Sequence, residues 1–182
     1  MQNADTVYLY CKYDDPQTHT TISILKGLLL QRIHRNTDLI TYVDDQRQQD
    51  RDPVLHSERT ARRLVETVYR GSRRQYVIID GLDECPPKHR KSILSFLRSL
   101  VRGADDKNPG GMRLLIVSQN EPDIRNALPE ADELELTLKD NSNDIEVFVS
   151  VWTAEIRTKF CLSADQESLI QNRTCSLARG EY

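Results

Sequence analysis

The sequence lacks both a long apolar run and a paired arrangement of cysteines. No stretch approaches the roughly 18 consecutive apolar residues of a membrane-spanning helix, and the N-terminus has neither the basic start nor the apolar core of a secretory signal. The four cysteines stand singly, with no C-x-x-C pair, which argues against zinc and disulfide frameworks. We therefore expect reduced thiols and a cytoplasmic location. The cysteines are Cys11, Cys85, Cys161 and Cys175.

Basic residues are not in excess, and glycine and proline are scarce. The formal net charge of the 182-residue chain is -3, so we expect neither a nucleic-acid partner nor a membrane partner. With 38% hydrophobic residues, 29% charged residues, 7 glycines and 7 prolines, the composition is typical of an ordinary globular protein. The length suits one domain, or one domain and a fragment of the next.

Short apolar runs alternate with helical patterns along the chain. The predicted strands are 7–11, 76–80, 113–118 and 133–138. The predicted helices are 22–33, 57–70, 86–103, 123–128, 145–160 and 165–182. Thr18 or Thr20 is a candidate N-cap for the first helix, and Gly71 and Gly103 are candidate ends of the next two. The polar, acid-rich segment 36–53 is predicted as a loop.

Alternation of this kind predicts an α/β fold whose parallel sheet has helices on both faces, because parallel strands need crossover connections. Ligands of such sheets bind at the carboxyl ends of the strands. Two polar residues, Asp80 and Ser118, lie at predicted strand ends.

Three carboxylates follow a buried strand in YVIIDGLDEC, residues 76–85. Like charges held close together repel, so such a group is rarely present for stability alone. Asp80 can hold Mg²⁺ through water, and Asp83 or Glu84 can orient the water that attacks a γ-phosphate. The alternative is that Asp83 and Glu84 stabilise the N-terminus of the following helix by about 0.3–1 kcal/mol. Both interpretations can hold at once.

YVIIDGLDEC also resembles the Walker B motif of NACHT-type NTPases of the STAND class, particularly the nephrocystin-3-like N-terminal domains of fungal NACHT proteins. Residues 7–31 are similar to the strand and helix that follow that family's phosphate-binding loop. Residues 113–119 are similar to its sensor strand, and NSNDIEVFV is similar to its entry into a helical domain. The resemblance implies a partial P-loop NTPase-like core over 1–140 and the start of a helical region over 141–182.

The same resemblance implies an ATP- or GTP-dependent molecular switch with Mg²⁺ as its metal. Asp80 corresponds to the metal ligand, Asp83 and Glu84 to the residues that activate water, and Ser118 to a residue near the γ-phosphate. It further implies a role in signalling, with protein partners or other NACHT chains and with self-association.

Two parts of the family pattern are missing. No glycine is followed by Lys-Ser or Lys-Thr, so the G-x-x-x-x-G-K-[ST] loop that holds phosphates is absent. Gln119 stands where the sensor motif usually has Arg, and a neutral amide cannot supply a guanidinium charge. In relatives the loop and its strand precede the segment equivalent to 7–11, so we expect the sheet to be incomplete. We also expect that the chain does not hydrolyse nucleotide alone. The alternatives are a non-catalytic module that associates with complete relatives, and an NTPase completed by an upstream segment or another chain.

The missing strand has a consequence for folding. In sheets of this type it lies between the strands equivalent to 113–118 and 133–138, so the strand at 113–118 is expected to have an unpaired edge, a known route to aggregation. We predict that the isolated chain is marginally stable unless the strand at 133–138 moves in to pair with that edge.

Three smaller patterns have alternative interpretations. A local cluster of arginines could contact phosphate or an acidic partner, but we favour a solvated helix face beside the acidic segment 44–52. Cys85 and His89 lie one helical turn apart, as in half of a zinc site or a Cys-His pair, but no second pair supports either. Trp152, with Phe148, is predicted to be core or a seam to the rest of a helical domain. The arginines are Arg59, Arg62, Arg63, Arg70, Arg73 and Arg74.

Overall fold

The computed structural model describes residues 5–51, 54–70, 74–106 and 108–178, without the side chains of 138–140. The chain forms two compact units, of which the first ends at Ala131 and the second begins at Asp132. None of the described helices is long and apolar enough to cross a membrane.

The first unit alternates strands and helices, as predicted. Its strands are β1 (Asp5–Tyr10), β2 (Gln75–Asp80) and β3 (Met112–Val117). Its helices are α1 (Thr21–Arg35), α2 (Leu39–Gln49), α3 (Glu58–Tyr69), α4 (Pro87–Asp105) and α5 (Pro122–Ala127). A single turn of 3₁₀ helix, Leu82–Glu84, follows β2. The first three predicted strands are therefore confirmed.

The three strands form a parallel sheet in the order β1-β2-β3. Each crossover connects a strand to its next neighbour in the same direction, and crossovers of parallel strands are right-handed. All the connecting helices are consequently placed on one face of the sheet. Helices α1 and α4 pack against β1 and β3 there, over fully buried side chains. These include Val7, Val77, Ile79 and Met112.

The opposite face of the sheet is open. Its side chains include Tyr8 and Tyr10 on β1 and Leu115 and Val117 on β3, which are between 43% and 62% exposed. The expectation of helices on both faces is therefore wrong for the described residues. Along β3, Met112 is buried, and half-buried positions then alternate with exposed ones.

Helix α1 begins with the predicted cap. The Thr20 side chain accepts a hydrogen bond from the backbone N–H of Ser23, and the Ser23 hydroxyl accepts one from the N–H of Thr20. This capping box satisfies two amides that the first turn of a helix leaves without partners. Its register directs Leu25 and Leu28 into the core, where both are fully buried.

Two boundaries differ from the sequence predictions. Helix α2 occupies most of the segment 36–53 that was predicted as a loop, although Val43 is its only buried residue. Helix α4 begins at Pro87 as predicted but continues past Gly103 to Asp105. Gly71, the other candidate helix end, lies outside the described residues.

The second unit contains α6 (Leu138–Phe160) and α7 (Ala164–Ala178). Residues 133–137 form no strand, and Leu134 and Leu136 are exposed. The strand predicted at 133–138 is thus wrong: alternating polarity needs a neighbouring strand to satisfy the backbone, and the described sheet has three strands. Phe148 and Trp152 contact each other at 6.0 Å between ring centroids but are exposed. Their assignment to a core is therefore wrong.

Candidate functional site

Asp80 ends the middle strand of the sheet. It pairs in register with Tyr10 on β1 and Val117 on β3, so its half-buried side chain lies on the open face. Its carbonyl accepts a hydrogen bond of 2.9 Å from the Cys11 N–H. Its carboxylate has no hydrogen-bond or ion-pair partner among the described residues. Ser118 follows Val117 directly, so the fold brings the predicted metal ligand and the predicted phosphate-sensing residue to the same edge of the sheet.

Asp83 and Glu84 fix the strand ends to one another. Asp83 Oδ1 accepts a hydrogen bond of 3.1 Å from the backbone N–H of Gln119, which follows β3. Glu84 Oε2 accepts one of 3.2 Å from the N–H of Tyr13, which follows β1. Neither acid lies in the first turn of α4, which begins at Pro87, so the capping interpretation is wrong. Their predicted role in activating water stays a prediction.

Gly81 makes this arrangement possible. Its φ of 71° is in the left-handed region, which side chains with a Cβ adopt only at a cost. A Cβ at this position would lie 2.9 Å from the carbonyl oxygen of Cys11. The turn therefore requires glycine both for its conformation and for the close approach of the two strand ends.

Arg90 is a buried charge next to the carboxylates, and the sequence analysis did not identify it. Its Nη1 donates a hydrogen bond of 2.9 Å to the carbonyl of Asp83, and its Nε donates one of 3.0 Å to the carboxylate of Asp123. Glu121 lies 3.6 Å from Nη2. The guanidinium thus joins the segments that follow β2 and β3, and its charge is already matched by two acids.

Cys11 follows β1 directly, and Cys85 follows the 3₁₀ turn that contains Asp83 and Glu84. Both thiols are buried. Interaction with the Cys11 side chain lowers the pKa of Cys85, opposed by burial and assisted by the positive charge of Arg90. The reciprocal interaction, together with burial, raises the pKa of Cys11. Sequence spacing gave no signal for this pair, because its members follow different strands.

Cys85 and His89, which were considered and set aside as a zinc or catalytic pair, share no hydrogen bond among the described residues. His89 Nδ1 lies 3.3 Å from the backbone nitrogen of Thr21 and 3.0 Å from its hydroxyl oxygen. The N–H of Thr21 therefore donates to this ring nitrogen, which is committed to α1 and not to a thiol. In the described part of the chain, no group of three or more His, Cys, Asp or Glu side chains is arranged to hold a metal ion.

Comparison with known proteins identifies the family. The family model for the nephrocystin 3 N-terminal region matches residues 1–119. The chain belongs to the nephrocystin 3 N-terminal family. The match includes all three strands and every candidate site residue from Asp80 to Ser118, and it confirms the resemblance to nephrocystin-3-like N-terminal domains. No curated protein and no solved structure matched the chain.

The strand ends of this nephrocystin 3 N-terminal domain fit a magnesium ion better than a triphosphate. Magnesium usually binds through one or two carboxylates, waters and the phosphates of a substrate, and the carboxylate of Asp80 has no other partner among the described residues. A triphosphate needs positive charge or a series of backbone amides. The acids Asp83 and Glu84 lie here instead, and Arg90 is already paired. The described residues therefore offer one carboxylate, that of Asp80, as a candidate magnesium ligand, and they form no phosphate cradle.

Three arginines of the cluster in this family domain are paired with acids of its own surface. The ion pairs are Arg62–Glu58, Arg63–Asp50 and Arg70–Glu66. The guanidinium of Arg62 also lies over the ring of Phe96, 4.9 Å from its centroid. These contacts favour the interpretation of the cluster as a solvated helix face. Arg73 lies outside the described residues.

Proposed function

We propose that this nephrocystin 3 N-terminal domain is the metal-binding half of a NACHT-type nucleotide switch. In this proposal Asp80 is the ligand of Mg²⁺, Ser118 lies near the γ-phosphate, and the phosphate-binding loop comes from a segment outside these 182 residues. The observation that supports it best is the carboxylate of Asp80 at the end of the middle strand, which has no hydrogen-bond or ion-pair partner among the described residues, with Ser118 at the end of the neighbouring strand.

The strand order agrees with this proposal. The strand similar to a Walker B strand lies in the middle, and the strand similar to a sensor strand lies beside it with its outer edge unpaired in the described sheet. The resemblance to P-loop NTPases expects the missing strand at that edge. A Mg²⁺ ion bound with nucleotide would neutralise charge on the phosphates.

Three features support a domain that does not hydrolyse ATP or GTP alone. The sequence has no phosphate-binding loop, and Gln119 offers a neutral amide where relatives have a guanidinium. Asp83 and Glu84, the candidates for activating water, each already accept a hydrogen bond from a backbone amide. The domain therefore positions groups for a nucleotide that another segment must hold.

Calorimetric titration tests this proposal in two steps. The purified chain should bind MgATP and MgGTP more weakly than about 1 mM, at the weak end of ordinary affinities. A fusion that places the phosphate-loop segment of a complete relative ahead of residue 5 should bind at least about tenfold more tightly. In that fusion Asp80→Asn should abolish the dependence on magnesium, whereas Asp106→Asn, on an exposed acid after α4, should not. Tight MgATP binding by the unfused chain, unchanged by Asp80→Asn, would refute the proposal.

The open face of the sheet favours a second candidate, a non-catalytic module that associates with complete relatives. The face exposes two tyrosines and two aliphatic side chains in adjacent register positions, and exposed apolar patches commonly mark interaction sites. This candidate predicts association with a complete relative in the absence of nucleotide. That association should be lost in Tyr8→Lys and retained in Asp80→Asn, the reverse of the pattern expected for the switch.

A further inference from the structure

Helix α6 carries an exposed apolar stripe along one side. The four members of this stripe are between 51% and 63% exposed, and their spacing of three and four residues places them next to one another on the helix surface. They are Val147, Phe148, Val151 and Trp152. On a different side of α6, Val149 and Thr153 are only 4% and 3% exposed. The apolar stripe therefore has no cover among the described residues.

Charged residues of opposite sign lie beyond the two ends of the apolar stripe. Asp144 lies about one turn before Val147, and Lys159 lies about two turns after Trp152. Both are exposed, and neither has an ion-pair partner among the described residues. The Lys159 ammonium instead lies over the ring of Phe160, 5.5 Å from its centroid. The surface of α6 thus runs from a negative charge through apolar side chains to a positive charge.

We propose that the apolar stripe of α6 is a docking surface for a second copy of this chain, with the two α6 helices antiparallel about a twofold axis between Val151 and Trp152. In a twofold contact the same patch serves on both copies, so the contact of residue i with residue j occurs twice. An axis at this position lies equally far from Asp144 and Lys159, about 11 Å along the helix. Each Asp144 therefore faces the Lys159 of the second copy.

The charges favour this register over the register one turn away. An axis two residues nearer the N-terminus would also bring the stripes together, but it would place Asp144 opposite Glu155 of the second copy. Like charges placed opposite each other disfavour a contact. In the proposed register Asp144 meets Lys159 instead, and Val151 meets Trp152 at the centre. Glu155 lies one turn before Lys159 on its own helix, a spacing at which opposite charges attract.

The symmetry of the charges points to a second copy and not to an unrelated protein. An unrelated partner does not require opposite charges at equal distances from one point of the stripe, whereas a twofold contact does. The rings of Phe148 and Trp152, with centroids 6.0 Å apart, supply the large apolar area that is typical of the centre of an interface. Helix α6 begins at Leu138, after the residues 1–119 that match the family. The inference is therefore independent of the proposed nucleotide site.

Charge reversal in the full chain tests the proposed register. Asp144→Lys and Lys159→Asp should each weaken the dimer by about fivefold or more, because two attractions become two repulsions. The double variant should recover the wild-type affinity to within about twofold, because the pair is restored with its signs exchanged. An equimolar mixture of the two single variants should form a dimer that neither forms alone, since every Lys then faces an Asp. Sedimentation velocity over a concentration series measures all four samples.

A second pair of variants tests the apolar part of the contact. Val151→Lys should abolish the dimer, because it places two like charges at the axis. Leu169→Lys is the matched control: Leu169 is an apolar residue of α7 that is 70% exposed, and its replacement should leave the dimer unchanged. Far-UV circular dichroism checks that both variants keep their helices. High salt should reduce the effect of the charge reversals because it screens exposed charges.

Three results would overturn the inference. The first is a wild-type chain that stays monomeric at the highest concentration reached. The second is a mixture of the single charge variants that associates no better than either variant alone, which would exclude the antiparallel register. The third is association that Leu115→Lys removes but Val151→Lys leaves intact, which would place the contact on the sheet. No nucleotide is present in these measurements, so their failure is distinguishable from failure of the proposed function.

Discussion

The two faces of the sheet differ in how far their side chains are exposed to water. On the covered face, Val77 and Ile79 are fully buried beneath helices. On the open face, Tyr8 and Leu115 remain more than half exposed on either side of Ile78, with which both pair in register. The open face is also the more polar one, since it carries Thr6, Asp80 and Arg113. Its lack of covering helices follows from the direction of the chain, which always crosses to the next strand on the same side.

The difference teaches where this fold is stabilised and where it is incomplete. Removing apolar surface from water stabilises the folded state by roughly 25 cal/mol per Å². The buried side chains of the covered face contribute most of this stabilisation, because those of the open face remain largely in contact with water. Four predictions test the contrast, beginning with the largest expected effect.

Ile78 and Ile79 are adjacent on β2 and face opposite sides, which makes them a matched pair. Ile79→Ala should lower the free energy of unfolding by about 2–5 kcal/mol, because a fully buried side chain leaves a cavity. Ile78→Ala, at a half-buried position, should cost about 1 kcal/mol because it leaves no closed cavity. Urea denaturation monitored by circular dichroism measures both. Equal losses would show that the open face is covered in solution.

Two glycines extend the comparison to the strand ends. Gly81→Ala should cost about 1–3 kcal/mol, because φ is positive and the new Cβ meets the Cys11 carbonyl. Gly103→Ala should instead stabilise the chain by about 0.5–1 kcal/mol, because it lies within α4 with open space at its Cβ position. Thermal and urea unfolding check both variants. A neutral Gly81→Ala would mean that the turn after β2 relaxes freely.

The N-cap of α1, a helix that packs on the covered face, should contribute to the stability of the first unit. Thr20→Ala should cost about 1 kcal/mol, since it removes the capping box at the start of α1. Thr67→Ala is the control, because its hydroxyl bonds only to the Arg63 carbonyl within α3, and it should change stability by less than about 0.5 kcal/mol. If the two substitutions cost the same in urea denaturation, the capping box contributes nothing measurable.

Substitutions on the open face should change self-association of the chain and hardly change its free energy of unfolding. Leu115→Lys places a charge on the exposed side of the edge strand, where charges oppose pairing between chains. Its free energy of unfolding should change by less than about 0.5 kcal/mol, while self-association at high concentration should decrease. Leu115→Thr, which keeps a β-prone residue without charge, is the control. Sedimentation velocity over a concentration series decides, and unchanged association of Leu115→Lys would exclude this edge as the contact.

Much of this architecture was predictable because local and tertiary signals agree. The strands at 76–80 and 113–118 are short apolar runs with turn residues on both sides. In the helix at 22–33 the apolar spacing coincides with a capping threonine. The motif in 76–85 predicted both the strand end and the cluster of acids, and the structure places Asp80 and Ser118 at one edge.

The wrong secondary-structure predictions concern segments in which the periodicity of apolar residues does not match the contacts made in the fold. Helix α2 has a single buried side chain, Val43, so it lacks the apolar stripe that periodicity detects. Its support includes local polar contacts such as Gln48 to Asp44, at 2.8 Å. Residues 133–137 have the converse property, since they alternate in polarity but have no strand partner in the described sheet.

The site details that sequence missed depend on the folded backbone. Cys11 and Cys85 are far apart in the chain, and the segments that carry them come together only because β1 and β2 end side by side. Arg90 becomes a buried link only when α4 and α5 bring Asp123 within hydrogen-bonding distance. No spacing rule connects these residues, so a single sequence could not indicate them.

The agreement between strand order and chain order has a consequence for synthesis on the ribosome. Each strand that emerges can add to an edge already made, so no later strand has to insert between two earlier ones. The connection from β2 to β3 is about half as long as that from β1 to β2, which favours closure of the shorter one by about 0.6 kcal/mol of chain entropy. We therefore expect β2, α4 and β3 to assemble first as the folding nucleus. Strand β1 should then pair with the free edge of β2.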